Sequence, residues 1–378
     1  MGAKVIISGG GTGGHIFPAL SIADSLKRVD PTTEILFVGA IGKMEMEKVP
    51  AAGYPIIGLP VAGLQRSFSI SNLKLPFKVL KSLNKAQDII NSFRPDVVVG
   101  VGGYASAPML WKASSNNIPC LIQEQNSYAG LTNKILGKRV KKICVAYPNM
   151  ERFFPADKII FTGNPIRANI HPYTPEDKIP AAEYFGLSSD YPTVLVVGGS
   201  LGCGTLNRVF KNIALLTKGD LPYQIIWQSG KGYHNETVEF FKSNGGTIID
   251  ENSRKIGNIL NCDFIFNMEH AMALATIVVS RAGAGTISEL CAAGKATIFV
   301  PSPVVAEDHQ THNAMALVNS DAALMIKDAN ADIELGNAIE DLLKDGGKIG
   351  QMERNILALA KPDAATQIAQ EILKLVTK

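Results

Sequence analysis

Short apolar runs and longer amphipathic stretches alternate along this chain from end to end. Runs of Val, Ile and Leu predict strands at Val5–Ser8, Ile35–Val38, Asp96–Val101, Cys120–Glu124, Lys142–Ala146 and Ile159–Thr162. They resume at Val194–Val197, Gln224–Gln228, Thr247–Ile249, Asp263–Phe266, Ile277–Ser280 and Ala296–Val300. Runs this short, and apolar at nearly every position, suit strands buried on both faces. Between them the period is helical. In Pro18–Val29, Ala19, Ile22, Ala23 and Leu26 fall on one face, with Asp24, Lys27 and Arg28 on the other. Such alternation predicts an α/β protein with parallel sheets and right-handed crossovers.

The pattern lapses over residues 164–192, where NPIRANIHPYTPEDKIP carries four prolines and no sustained period, as a linker would. A new strand and glycine loop, TVLVVGGSLGCGTLN, then begin a second half. Two similar α/β halves with a cleft between them are expected, residues 1–165 and 166–359, with a last helix near Ala364–Val376 that could pack on either. A length of 378 residues agrees with two domains.

Composition narrows the picture. With 46% hydrophobic and 19% charged residues the chain is globular, and a formal charge of +3 gives no support to nucleic-acid binding. The five cysteines form no C-x-x-C pair and read as reduced thiols of a cytosolic protein, although Cys203, in a glycine loop, is a candidate for exposure. The first residues read as a strand, not as a signal peptide, and no apolar stretch reaches the roughly 18 residues of a membrane span.

Candidate chemistry gathers at strand ends. GGGTGGH (Gly9–His15), GVGGYASAP (Gly100–Pro108) and GGSLGCG (Gly198–Gly204) each follow a strand and precede a helical pattern. Ligands of open parallel sheets bind there, and a following helix N-terminus offers N–H groups to an anion. Gly9, Gly11 and Gly14 fit G-x-G-x-x-G, but the second strand, EILFVGA, ends in Gly39 and Ala40 where a dinucleotide site needs an acid for the ribose. No Gly-Lys-Ser/Thr follows either, so a P-loop is excluded.

A fourth element, SRAGAGTISEL, opens a helix with Thr286 and Ser288 near its start and Glu289 behind. That N-terminus suits a diphosphate. Glu289 would either accept two hydrogen bonds from a ribose diol or complement the helix dipole, the latter worth about 0.3–1 kcal/mol. His15, at a helix N-terminus that disfavours the imidazolium, is a candidate general base. In EDHQTHNA, Gln310 and Asn313 suit sugar contacts, whereas His309 and His312 lack a third metal ligand. No Asp-x-Asp occurs, so a leaving diphosphate must be met by helix N-termini and by Arg167 at the domain junction, unless that arginine serves a hinge salt bridge.

GGGTGGHIFPAL, GVGGYASAP, QEQNSYAGLTNK, TGNPIR, GGS-x-G, SRAGAGTISEL and DHQTHNA occur in this order over most of the chain, and together the set closely resembles the MurG family of GT-B glycosyltransferases. The resemblance implies a GT-B fold, two Rossmann-like domains facing across a cleft, with the C-terminal helix (about 360–378) returning to the N-terminal domain. It implies inverting transfer of GlcNAc from UDP-GlcNAc to the C4 hydroxyl of lipid I, giving lipid II, at the cytoplasmic face of the inner membrane. Bound there peripherally, the chain would work without a required metal or cofactor, beside cell-wall assembly proteins and without nucleic acid.

By the same resemblance His15 is the catalytic base, while Thr12, Gly13 and Gly14 belong to the sugar-nucleotide site. Tyr104 and Glu124 line the acceptor side and Asn126 contacts the donor sugar. Arg167 and Ser200 approach the diphosphate, and Ile265 faces uracil through its backbone. Ala284, Gly285, Thr286, Ile287 and Ser288 form the helix-start site, Glu289 holds the ribose, and Gln310 contacts the GlcNAc hydroxyls. The chain departs from the family at Leu201, often Gln, at Cys203, and at Ala107, where Gly is common. Residues 61–86 mix Leu64, Phe68, Leu73, Leu75 and Phe77 with Arg66, Lys74, Lys78, Lys81 and Lys85, a candidate surface for an anionic leaflet. Rival functions on such a fold are a UDP-GlcNAc 2-epimerase, a diacylglycerol glycosyltransferase and a non-catalytic sugar-nucleotide sensor.

Overall fold

The computed structural model describes residues 2–61, 75–167, 169–199, 201–305 and 308–376. Two compact units emerge, Met1–Ala168 with Lys361–Lys378, and Asn169–Ala360.

The N-terminal unit is a seven-stranded parallel sheet. In chain order it runs β1 (Lys4–Ser8), α1 (Gly13–Val29), β2 (Glu34–Ala40), α2 (Glu45–Ala51), β3 (Ile56–Leu59), α3 (Leu75–Phe93), β4 (Val97–Gly100), α4 (Ser106–Ser115), β5 (Cys120–Glu124), α5 (Leu131–Gly137), β6 (Lys142–Val145) and β7 (Ile159–Phe161). The strand order is β3-β2-β1-β4-β5-β6-β7, so the connections reverse direction between β1 and β4. Alternation in β1 sends Ile6 to one face, with Ala86, Ile89, Met109 and Leu110 from α3 and α4. Val5 and Ile7 go to the other, with Ile22 and Leu26 of α1. On that second face the C-terminal helix Ala364–Lys374 inserts Ile368, Ala369 and Ile372, and its Thr366 hydroxyl meets Ser25 Oγ at 3.3 Å. Ile368 and Ile372, taken from water, contribute about 1.5–3 kcal/mol each.

The C-terminal unit begins with α6 (Pro175–Phe185), inside the stretch expected to be a linker. A helix forms here with Pro175 at its first position, where no intrahelical N–H is needed, and Pro180 within it, and the Thr174 N–H donates to Asp177 Oδ2 at 2.7 Å in a capping box. There follow β8 (Thr193–Val197), α7 (Gly204–Thr217), β9 (Gln224–Gln228), α8 (His234–Ser243), β10 (Thr247–Ile248), β11 (Ser253–Ile256), β12 (Ile259–Cys262), α9 (Met268–Leu274), β13 (Ile277–Ser280), α10 (Ala284–Ala293), β14 (Thr297–Phe299), α11 (His309–Val318), β15 (Leu324–Met325), α12 (Ala331–Lys344) and α13 (Gly346–Ala358).

The order is β10-β11-β12-β9-β8-β13-β14-β15, and β8 with its neighbours β9 and β13 forms the second switch point. Only β11 runs against the other strands, pairing antiparallel with both β10 and β12, an edge reversal that the all-parallel expectation lacks. The predicted strand Asp263–Phe266 falls instead just beyond β12. The Asn252 side chain ends the ladder there, its Oδ1 accepting the Phe264 N–H at 3.0 Å and its Nδ2 donating to the Phe264 carbonyl at 3.0 Å.

Candidate functional site

Both switch points carry glycine loops. In the N-terminal unit the loop after β1 packs on the loop after β4: the Gly10 N–H donates to the Gly102 carbonyl at 3.3 Å, and a Cβ on Gly103 would overlap the Gly10 carbonyl. Ser106 Oγ lies 2.7 Å from the Ser8 carbonyl and 2.9 Å from the Gly102 carbonyl, so its one O–H is shared between the two loops. Gln125, buried beneath them, donates to the Val101 carbonyl at 2.7 Å.

The helix begins earlier than Pro18. Thr12 is its extended N-cap, and the N–H groups of His15 and Ile16 close on the Thr12 carbonyl. Pro18 falls inside the helix, in its second turn, where it forgoes one backbone hydrogen bond. His15 is thus in the first turn, half-buried, with Nδ1 3.1 Å from the Gly10 carbonyl and 3.3 Å from Thr12 Oγ1. A carbonyl only accepts, so Nδ1 carries the proton and the neutral ring holds its lone pair on Nε2. A Cβ on Gly102 would stand 2.8 Å from that Nε2.

The other expected residues of this unit divide. Thr12 and Gly14 are exposed and Gly13 is half-buried in the helix start, and Tyr104 is exposed in the second loop. Glu124 is buried. Its carboxylate accepts from the N–H groups of Asn126 and Gly130, both at 3.0 Å, and from Asn133 Nδ2 at 2.9 Å. Burial pushes its pKa up, against those hydrogen bonds. It therefore shapes the loop that presents half-buried Asn126. Arg167 is half-buried at the end of the unit.

In the C-terminal unit the loop after β8 lies against the turn after β9, where a Cβ on Gly202 would overlap the Ser229 carbonyl. Ser200, expected at the diphosphate, lies outside the described residues, as does half of the basic apolar stretch at 61–86, residues 62–74. Cys203 is buried, not exposed, because its thiol turns inward as the N-cap of α7 and accepts the Leu206 N–H. All five cysteines are free and buried. Gln228, at the end of β9, bridges two site segments: its Nε2 donates to the Gly199 carbonyl and its Oε1 accepts the Ile265 N–H, both at 2.9 Å. The Ile265 N–H is thereby used within the protein.

α10 opens at the second switch point, with Gly283 as its extended N-cap. Ala284 and Ile287 are buried; Gly285 and Thr286 are half-buried at the helix start. Ser288 Oγ turns back to the Ala284 carbonyl at 3.0 Å. Glu289 is half-buried in the second turn, where the helix dipole that would otherwise explain it has faded. Gln310 Oε1 accepts the Ser302 N–H at 2.9 Å. Asn313, expected to contact sugar, is wholly buried beneath the site, its Nδ2 3.5 Å from the Ala282 carbonyl, so it braces the loop instead. Among the described residues no three His, Cys, Asp or Glu side chains group closely enough to hold a metal ion.

Sequence reasoning missed Glu45, Gln125, Gln228 and Arg281. The Arg281 guanidinium donates to the carbonyls of Val300 and Pro301 and pairs with Asp328 at 2.5 Å. Of these only Glu45 has a local signal, an acid opening a helix.

Two Rossmann-like units, each with a glycine loop at its switch point, are the architecture of the GT-B fold. The model of the glycosyltransferase family 28 N-terminal domain matches residues 5–145, and that of its C-terminal domain matches residues 193–368. A UDP-N-acetylglucosamine–N-acetylmuramyl-(pentapeptide) pyrophosphoryl-undecaprenol N-acetylglucosamine transferase of Parabacteroides distasonis is 49% identical, over 99% of each chain. Its Bacteroides fragilis namesake is 50% identical over 98% of this chain and 95% of the relative. The crystal structure of Acinetobacter baumannii MurG superposes with a TM-score of 0.76 at 29% identity, over 98% of this chain and 99% of that one. The chain belongs to glycosyltransferase family 28 and, within it, to the MurG family.

Proposed function

We propose that the protein transfers N-acetylglucosamine from UDP-N-acetylglucosamine to the C4 hydroxyl of N-acetylmuramyl-(pentapeptide) pyrophosphoryl-undecaprenol, forming a β-1,4 bond with inversion. The observation that carries the chemistry is the His15 ring, tied by Nδ1 to the Gly10 carbonyl so that Nε2 is the basic atom. As the acceptor oxygen bonds to the anomeric carbon, its proton passes to Nε2 and the bond to UDP breaks, the electron pair leaving on the diphosphate.

In the N-terminal unit, Thr12, Gly13 and Gly14 approach the substrates, Tyr104 flanks the acceptor, Asn126 meets the donor sugar, and Arg167 supplies positive charge for the diphosphate. In the C-terminal unit the helix start Ala284–Ser288 and the Ser200 loop receive the diphosphate. There Glu289 accepts from the ribose diol, the Ile265 carbonyl from uracil N3–H, and Gln310 meets the GlcNAc hydroxyls. The reaction needs no divalent ion on this reading.

Among the described residues no helix is long and apolar enough to cross a membrane. Peripheral binding to the cytoplasmic leaflet is supported by the outer surface of α3, α4 and α5. Val79, Leu80, Trp111, Leu131 and Ile135 are exposed there beside exposed Lys81, Lys138 and Arg139, and the Arg139 guanidinium lies 4.1 Å from the Trp111 ring centroid.

The test is transfer of labelled GlcNAc to the lipid acceptor in EDTA, with no-acceptor and diacylglycerol controls and UDP release followed in parallel. Product is expected only with the muramyl lipid. Donor conversion without acceptor, or donor binding without turnover by folded protein, would overturn the proposal.

A further inference from the structure

The Gly10 carbonyl that receives His15 Nδ1–H and the Gly11 N–H are two ends of one peptide group. At the other end, the Gly11 N–H donates to Glu45 Oε2 at 2.9 Å. The chain of groups is therefore imidazole N–H, peptide C=O, peptide N–H, carboxylate, with both hydrogen bonds running in the same direction. A hydrogen bond to an anion is the stronger kind, and a peptide whose N–H meets a carboxylate carries more negative charge on its oxygen. Rest on the transferase reading, and the arrangement acquires a purpose. We propose that Glu45 is a positioning residue for the base. It orients and polarises the Gly10–Gly11 peptide, which in turn fixes the tautomer of His15 and stabilises the ring as it takes the acceptor's proton.

The carboxylate is held for this. It is 1% exposed, at the first position of α2, and its other oxygen accepts the Ala40 N–H at 2.9 Å. Glycine is required on both sides of it: a Cβ on Gly10 would overlap the carboxylate, and one on Gly39 would lie 2.5 Å from its Cγ. Burying a carboxylate is costly, and a neutral side chain could fill this volume more cheaply. In a serine-protease triad an aspartate orients its histidine by direct contact at Nδ1. Here one peptide stands between acid and imidazole.

Glu45→Gln keeps the shape but has one accepting oxygen for two N–H donors, so the peptide loses its anionic partner. The full-length parent, Glu45→Gln, His15→Ala and the double variant are compared in the transfer assay, with thermal melts to verify folding. Glu45→Gln is expected to lower kcat on the order of ten- to a hundredfold, the range for groups that orient a functional histidine, and to leave both KM values unchanged. In the His15→Ala background it should cost little, since it acts through that ring. An equal loss in both backgrounds would overturn the proposal.

Imidazole 15N NMR supplies a readout that needs neither substrate nor turnover. The His15 signal, identified among six histidines by its absence from His15→Ala, should show Nδ1 protonated in the parent and a mixture of tautomers in Glu45→Gln. A ring protonated at Nε2 in the parent would refute the inference even if the variant failed to fold. Absence of transfer in every tube would sink the transferase reading alone.

Discussion

Lys295 is a base in the wrong place, and removing its charge should make the protein more stable. It follows the left-handed Gly294 cap of α10, is 7% exposed, and donates to the Ala275 carbonyl at 2.9 Å. Burial brings its pKa down from 10.5 to about 8, although the nearby Glu353 carboxylate works the other way. At about 1.4 kcal/mol per pH unit, holding the ammonium in the fold costs about 3 kcal/mol. Between pH 8 and 10.5 the unfolded chain keeps this proton while the folded chain releases it. The penalty is therefore complete below pH 8, shrinks as pH rises, and is gone above about 10.5. Lys295→Met keeps most of the volume and removes the charge, but loses the bond to Ala275, worth about 1 kcal/mol. The variant should be more stable than the parent by about 2 kcal/mol at pH 7 and less stable by about 1 kcal/mol at pH 10.5. Urea unfolding followed by circular dichroism, on parent and variant at pH 7, 9 and 10.5, measures the difference. Titrating groups other than Glu353, whose carboxyl Lys295 draws down against its burial, are common to both chains and cancel. A difference that does not change with pH would show that Lys295 keeps its proton in the fold throughout, and the argument from burial would fail.

Three further perturbations test separate parts of the structure. Gly102→Ala puts a methyl group 2.8 Å from His15 Nε2 on a backbone with φ of +94°, so kcat should fall at least about tenfold while stability drops about 1–2 kcal/mol, read from turnover and melts of one preparation. Asp263→Ala strips the fully buried Arg254 guanidinium of its carboxylate partner and should cost about 3–5 kcal/mol in denaturant unfolding; a loss under 1 kcal/mol would mean that Asn261 alone suffices. Burial pushes the thiols of Cys120, Cys144, Cys262 and Cys291 up to about 12, so iodoacetamide at pH 8 should leave them unmodified by mass spectrometry until urea unfolds the chain.

Most strands of both sheets were legible because a strand buried on both faces writes its burial into consecutive residues, as VLVV does in β8; β3, β11, β12 and β15 were not. The switch points were legible because a glycine loop follows β1, β4 and β8. Part of what escaped was decided by partners outside the segment itself. SRKI forms β11 although it carries two cations, because Arg254 finds Asp263 and Asn261 across the sheet. The helix α6 was hidden by its prolines, even though Thr-Pro-Glu-Asp is a capping box.

The glycines show the limit most plainly, since one letter serves two purposes in the opening loop. Gly9 and Gly10 are bare so that Val101 and Glu45 can occupy the space where a side chain would stand. Around Gly11 and Gly14 the space is open, apart from the Thr12 hydroxyl 3.7 Å from a Cβ on Gly14. Only this second group has room for a ligand, and no spacing rule separates it from the first. The division also explains why an acid near His15 left no motif. Glu45 is 30 residues from His15 in sequence, on a different helix, and reaches it only because Gly10 yields its side-chain volume to a carboxylate. A loop that needs bare backbone to admit its own support is as glycine-rich as one that admits a substrate, and here the first condition sets the geometry for the second.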